Sequence, residues 1–227
     1  MSVPAFLQWL QPFRDNGVSL WAGNVSGAIT YREIAPWCDF VRVGIGNGSV
    51  CTTRIQTGCG RGSISSLLEC NRVRERFLSS GSSAAAIVAD GGIKENGDIA
   101  KALAAGASLV MLGRMFAATK ESAAPWARST PWWKFWADSE DLKVYRGMAS
   151  KQVNMESGRD MTKVSVEGHQ TTIWVRGSVV DVLSQIESNL RSAMSYVNAH
   201  DLTEFRKSAR LLRVSPSVYL EGLPHAR

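Results

Sequence analysis

Short apolar runs alternate with segments of helical period over the first two-thirds of the chain. Residues 18–25, 40–46, 84–89 and 108–112 read as strands, and residues 28–37, 64–78 and 98–105 between them read as helices, with one more short helix after the last strand. Runs such as Ala85-Ala86-Ile87-Val88 and Leu109-Val110-Met111-Leu112 show no polar alternation, so both faces of those strands are buried. This alternation predicts an α/β fold built on a parallel sheet. After residue 122 the pattern changes: Trp126, Trp132, Trp133, Phe135 and Trp136 crowd a segment with two prolines, and residues 145–167 are polar and glycine-bearing before a strand-like 171–175. About residues 123–175 therefore read as a hairpin or flap inserted into the domain. Leu183, Ile186, Leu190 and Met194 recur at three- and four-residue spacing, which predicts a core-facing helix. A short helix over 202–209 and an irregular tail follow.

The 227 residues, 44% of them apolar, suffice for one domain spanning residues 1–227. No run of eighteen apolar residues occurs, and Met1-Ser2-Val3-Pro4 lacks the basic region and cleavage site of a signal peptide, so the expectation is a soluble cytoplasmic protein with no membrane partner. Cys38, Cys51, Cys59 and Cys70 match no CxxC pattern, which favours reduced thiols over zinc or disulfides. The formal charge of +6 is spread along the chain without a dense basic run. That distribution disfavours nucleic acid and suits a small phosphorylated ligand.

Candidate chemistry gathers just after the strands. Gly44-Ile45-Gly46-Asn47-Gly48-Ser49-Val50-Cys51-Thr52-Thr53-Arg54 sets a cysteine behind a glycine-rich turn whose free N–H groups and Ser49 hydroxyl suit an anion. Gly23-Asn24, Asp90-Gly91-Gly92 and Gly113-Arg114 occupy the same position after their own strands, and ligands of parallel α/β proteins bind at the carboxyl ends of strands. Each feature also has a plainer reading. Cys51 is either a nucleophile or a packed thiol, Asp90-Gly91-Gly92 either a ligand site or a turn, and Glu69 either catalytic or one charge on a solvated helix face. Arg114 either adds a phosphate cation or blocks the pocket. His169, His200 and His225 lack metal-ligand spacing, and the tryptophan cluster is either a packed hairpin or a partner site.

Ala22-Gly23-Asn24-Val25, residues 43–54, Ala89-Asp90-Gly91-Gly92-Ile93, Gly97-Asp98-Ile99-Ala100-Lys101-Ala102-Leu103, Val110-Met111-Leu112-Gly113 and Tyr145-Arg146-Gly147-Met148 follow one another in a fixed order. In that order, and near that spacing, over about residues 18–197, the chain resembles the purine nucleotide oxidoreductases comprising IMP dehydrogenase and GMP reductase. The resemblance implies a (β/α)8 TIM barrel of which this chain carries the second half, about four βα units, with the flap excursion and C-terminal helices; residues 6–13 stand in place of the helix before the fifth strand. Four parallel strands cannot close a barrel, so a second polypeptide or a second copy is expected as partner.

By the same resemblance, Cys51 attacks C2 of the purine as a thiolate, which N–H-rich loops favour. Asp90 binds the ribose diol, and Ser49, Gly92, Gly113 and Tyr145 hold the 5′-phosphate. Glu167 bonds the base, and Gly91, Arg114, Gly147, Met148 and Ser150 belong to the same substrate site. Carbonyls of Gly46, Gly48 and Cys51 form the potassium site that some members have. Thr53 and Glu69 match the reductase pair near the cysteine, the flap interval from 150 to 167 is short as in reductases, and Arg159-Asp160 stands where a dehydrogenase carries arginine–tyrosine. Tyr145-Arg146-Gly147-Met148 and Lys101-Ala102-Leu103-Ala104 look more like a dehydrogenase. The favoured expectation is NADPH-dependent reductive deamination of GMP to IMP through a Cys51 thioimidate. The alternatives are NAD-dependent oxidation of IMP to XMP, or a nucleotide-binding half-barrel that needs a partner chain.

Overall fold

The computed structural model describes residues 2–127, 142–160, 162 and 165–223. Two short helices, α1 (Val3–Trp9) and α2 (Gln11–Asp15), open the chain. They replace one continuous element because Pro12 has no N–H to return to the preceding turn. Strands β1 (Trp21–Val25), β2 (Phe40–Val43), β3 (Ala86–Asp90) and β4 (Leu109–Met111) pair in sequence order, all parallel. The crossovers are α3 (Ala28–Ile34) with a 3-10 turn at Ala35–Trp37, then α4 (Thr53–Thr57) and α5 (Ser63–Ser79), then α6 (Asn96–Ala104). A short α7 (Arg114–Ala117) follows β4. One-way strands in sequence order, each followed by a helix, are successive units of a βα barrel.

The middle strands carry the core. Val41, Val43, Ile87 and Ala89 are buried and pack in one cluster with Tyr31 and Ile34 of α3 and Leu67, Cys70 and Val73 of α5. The Tyr31 hydroxyl donates to the Ala85 carbonyl at the start of β3, and desolvation in this core raises its pKa above the ordinary phenol value. Tyr31→Phe leaves that carbonyl short of a donor and is expected to cost about 1–2 kcal/mol, read as a lower urea midpoint at unchanged slope.

The sheet is open among the described residues. Its outer strands β1 and β4 leave Trp21 49% and Leu109 42% exposed, although Trp21 stacks on Phe40 of β2 with ring centroids 4.5 Å apart.

The insertion is a second, antiparallel sheet of β5 (Trp126–Ala127), β6 (Leu142–Arg146) and β7 (Gln170–Trp174), with α8 (Lys151–Glu156) between the last two strands. Trp132, Trp133, Phe135 and Trp136 lie outside the described residues. Helix α9 (Val179–Ser195) starts at a capping box in which Ser178 and Asp181 satisfy each other's backbone N–H groups. Its inward stripe runs through Ile186, Leu190, Ala193 and Met194 onto Ile99, Leu103 and Met115, with Val182 buried one turn earlier; the expected Leu183 is instead half exposed, one position off the stripe. Helix α10 (Leu202–Ser208) adds Phe205 to that cluster, and α11 (Pro216–Glu221), nucleated by a Ser215 cap, occupies part of the expected irregular tail. No described helix is long and apolar enough to cross a membrane.

Candidate active site

A cleft of about 640 Å³, within the range of small-molecule sites, opens at the carboxyl ends of β1 to β4. Its walls come from the cysteine loop, the Asp90 turn, Gly113 and the residues after β6. A smaller cavity of about 340 Å³ shares the Asp90–Gly91 wall and runs between α5 and α6. Burial disfavours the charged form of Asp98 in its lining, but hydrogen bonds from Lys101 and from the Lys94 and Glu95 N–H groups outweigh it and hold the carboxyl below its usual pKa.

The Asp90 end is built by strand register. Arg42 pairs with Val88, so Asp90 lies two residues farther along β3 on the same face, and Arg42 Nη2 donates to its Oδ2 at 2.7 Å. Between β1 and β2 the register jumps from Gly23 to Val25, leaving Asn24 as the extra residue of a bulge. Bulges re-aim side chains near active sites; here the Asn24 amide donates to Asp90 Oδ2 at 2.6 Å and to the Gly44 carbonyl at 2.7 Å. With Oδ2 held twice, Oδ1 is the oxygen left to take a ligand hydroxyl. Gly44 must be glycine, since at φ +149° a Cβ would lie 2.0 Å from the Asp90 carbonyl oxygen.

The other end lies under Tyr145. Its hydroxyl stands 2.9 Å from where a Cβ on Gly113 would be, so a side chain there would displace it.

Cys51 is placed by contacts from both sheets. Its N–H donates to Gly48 O at 3.1 Å, which closes the turn. The segment before β7 then zips onto the loop: Thr52 N–H donates to Glu167 O at 2.7 Å, His169 N–H to Val50 O at 3.0 Å, and Cys51 bridges Gly168. Across this seam the Cys51 thiol donates to Thr53 Oγ1 at 3.1 Å, and Thr53 Oγ1 donates to Glu167 Oε2 at 2.6 Å. Thiol, hydroxyl and carboxylate thus form one directional chain from a proton donor to a proton acceptor.

The structure brings together Cys51, Thr53, Asp90, Gly91, Gly113, Tyr145, Gly147, Met148, Glu167 and the loop glycines Gly46 and Gly48 around the cleft. Glu69 is not among the residues lining the cleft. Its carboxylate, on α5, is held by two nitrogens of the Arg61 guanidinium just before that helix, and the carboxylate joined to Thr53 is that of Glu167. Ser49 and Arg114 are exposed outside the lining, Gly92 lines the smaller cavity against Ser63, and Ser150 is buried as the N-cap of α8. Arg42 was missed although it sits in the strand before the loop; a lone charge in an otherwise apolar central strand was the available signal. Burial raises the thiols of Cys38 to about 11 and Cys70 to about 12, which marks both as packing residues.

The model of the IMP dehydrogenase / GMP reductase domain matches residues 3–225. The chain belongs to that family. Inosine-5′-monophosphate dehydrogenases from Staphylococcus aureus strains, including Mu50 and USA300, are 36% identical over 217 residues, covering 92% of this chain and 42% of theirs. Among solved structures, a cysteine-to-alanine variant of GMP reductase from Trypanosoma brucei, in complex with guanosine 5′-monophosphate, superposes with a TM-score of 0.85 at 30% identity, covering 99% of this chain and 44% of that one. The chain therefore spans about two-fifths of the length of these family members, and its open parallel sheet is part of a TIM barrel.

Proposed function

We propose that the cleft binds a purine nucleoside monophosphate and carries out oxidation–reduction at purine C2 through a covalent Cys51 adduct, in the manner of a GMP reductase. The observation that carries this reading is the chain Cys51–Thr53–Glu167. Asp90 Oδ1 takes a ribose hydroxyl, Tyr145 and the backbone at Gly91 and Gly113 take the phosphate, and Met148, exposed at the mouth, offers a surface to a flat ring.

The Cys51 proton passes through Thr53 to Glu167 as sulfur attacks C2. Glu167 returns it to the amine leaving the same carbon, so ammonia departs without a proton from bulk water. The net reaction is GMP + NADPH + 2 H⁺ → IMP + NADP⁺ + NH₄⁺. NADPH, when bound, supplies the hydride that takes the place of the amine and releases the thiolate. The Gly46, Gly48 and Cys51 carbonyls are the kind of oxygen donor that potassium takes, and the Gly48 carbonyl keeps a second lone pair after accepting from Cys51 N–H.

The second reading, NAD-dependent oxidation of IMP, is supported by the S. aureus relatives. Against it, Arg159 donates to Asn154 at 3.1 Å and Asp160 accepts from Thr162, so both residues are engaged locally on the flap. Further strands complete the barrel at the β1 and β4 edges, supplied by the rest of a longer chain, a second polypeptide or a second copy; exposed Trp21 and Leu109 mark where they pair.

Alkylation of Cys51 by iodoacetamide, followed by mass spectrometry with Cys59→Ser removing the exposed competitor thiol, tests binding without the missing strands. GMP is expected to protect Cys51, and nicotinamide absorbance should fall with GMP and NADPH but not rise with IMP and NAD. Equal alkylation with and without either nucleotide, together with no turnover from either pair, would overturn the reading.

A further inference from the structure

Lys143 is fully buried. Its Nζ donates to the carbonyls of Thr119, Lys120 and Ser122 at 2.8, 2.9 and 2.8 Å and reaches Ser122 Oγ at 3.1 Å. The Ser122 hydroxyl gives its own proton to Ala117 O at 2.8 Å, so its lone pairs are the part turned to the ammonium. The Trp126 ring closes another side, with its centroid 4.5 Å from Nζ. Neutral oxygens, mostly carbonyls, around a dehydrated monovalent charge are the donor set of a potassium site. Burying such a charge is costly unless its surroundings compensate, and methionine would fill the same channel without that cost.

The turn this ammonium grips is one end of a short piece whose other end lines the cleft. Residues 113–122 run from Gly113 through α7 to the turn at 119–122, and the turn is tied down by Arg176 N–H to Ala118 O at 2.8 Å and Lys120 N–H to Gly177 O at 2.9 Å. Lys143 and Tyr145 are two residues apart on β6 and project from the same face. One face of one strand therefore holds both ends of the piece, Lys143 at the turn and Tyr145 over Gly113.

We propose that Lys143 is a positioning residue that acts as a tethered monovalent cation, locking the 119–122 turn to β6 and so holding Tyr145 over Gly113 at the phosphate end of the cleft. The phosphate assignment rests on the function proposed above; the grip on Tyr145 does not.

The test uses the full chain labelled with 3-fluorotyrosine. Its four tyrosines give four ¹⁹F lines, and Tyr145→Phe identifies one of them. Without nucleotide, Lys143→Ala is expected to move the Tyr145 line while leaving those of exposed Tyr196 and Tyr219 in place. Propylammonium, which replaces the atoms removed, restores the line, whereas propanol does not. Lys143→Met shows the same displacement with no rescue, because its side chain fills the channel. GMP affinity of Lys143→Ala falls about tenfold and returns with propylammonium, while guanosine affinity is unchanged. A Lys143→Ala chain that folds only with propylammonium also supports the proposal. It is overturned by an unmoved Tyr145 line in folded Lys143→Ala, by wild-type line and affinity in Lys143→Met, or by equal rescue with propanol. Wild-type protein that binds guanosine as tightly as GMP removes the phosphate reading instead, and the ¹⁹F line then decides the grip alone.

Discussion

Cys51→Ala is expected to abolish turnover, by more than about 10³-fold, while nucleotide affinity stays within about threefold of wild type. The reason is geometric. Asp90, Tyr145, Gly91 and Gly113 line the cleft independently of the thiol, so ground-state binding survives the loss of sulfur. What disappears, on the proposed function, is the atom that would bond C2. Calorimetry with GMP beside a turnover assay checks both halves, and lost binding would mean that the cysteine holds the loop rather than attacks from it. Iodoacetamide at mildly alkaline pH adds a control: Cys38 and Cys70 stay unlabelled because burial keeps their thiols protonated far above that pH.

The second large effect separates two glutamates. Glu167→Gln keeps an acceptor for the Thr53 hydroxyl but cannot take the proton, so kcat should fall by about 10²–10⁴-fold with little change in nucleotide affinity. Glu69→Gln should leave kcat within about twofold, since it breaks only a partly exposed pair with Arg61, worth about 0–1 kcal/mol to stability. The reverse result, a dead Glu69→Gln and an active Glu167→Gln, would require α5 to approach the cysteine loop in the working enzyme.

Much of the fold was legible because its signals are local. Unbroken apolar runs marked β3 and β4 as parallel strands, although β4 is an outer strand of the described sheet whose Leu109 is exposed rather than buried on both faces, and the glycine-rich turn after β2 marked the cysteine loop. The carboxylate near Cys51 was not legible in the same way. Glu69 lies eighteen residues from Cys51 in the chain, yet an arginine eight residues before it captures its side chain. Glu167 lies 114 residues from Thr53, and only the pairing of the β7 approach with the cysteine loop brings it there. Asn24 was noticed as a strand-end residue, but its use as a brace for Asp90 follows from a bulge that no periodicity announces. Lys143 was hidden for a related reason: within an alternating strand a lysine reads as a solvent-facing position, and here the turn after α7 folds over it.

On the function proposed above, the seam between the cysteine loop and the segment before β7 divides the parts of the reaction between two structures: the loop after β2 carries the sulfur, and the approach to the antiparallel sheet carries the carboxylate that would take its proton. A handful of main-chain hydrogen bonds hold them in register. Peeling the inserted sheet away would remove Glu167 from the Cys51–Thr53 chain, so the proposed chemistry requires the seam to be shut. An intact Cys51 loop in a related chain therefore says little about activity unless the inserted sheet, with its glutamate, is present and docked.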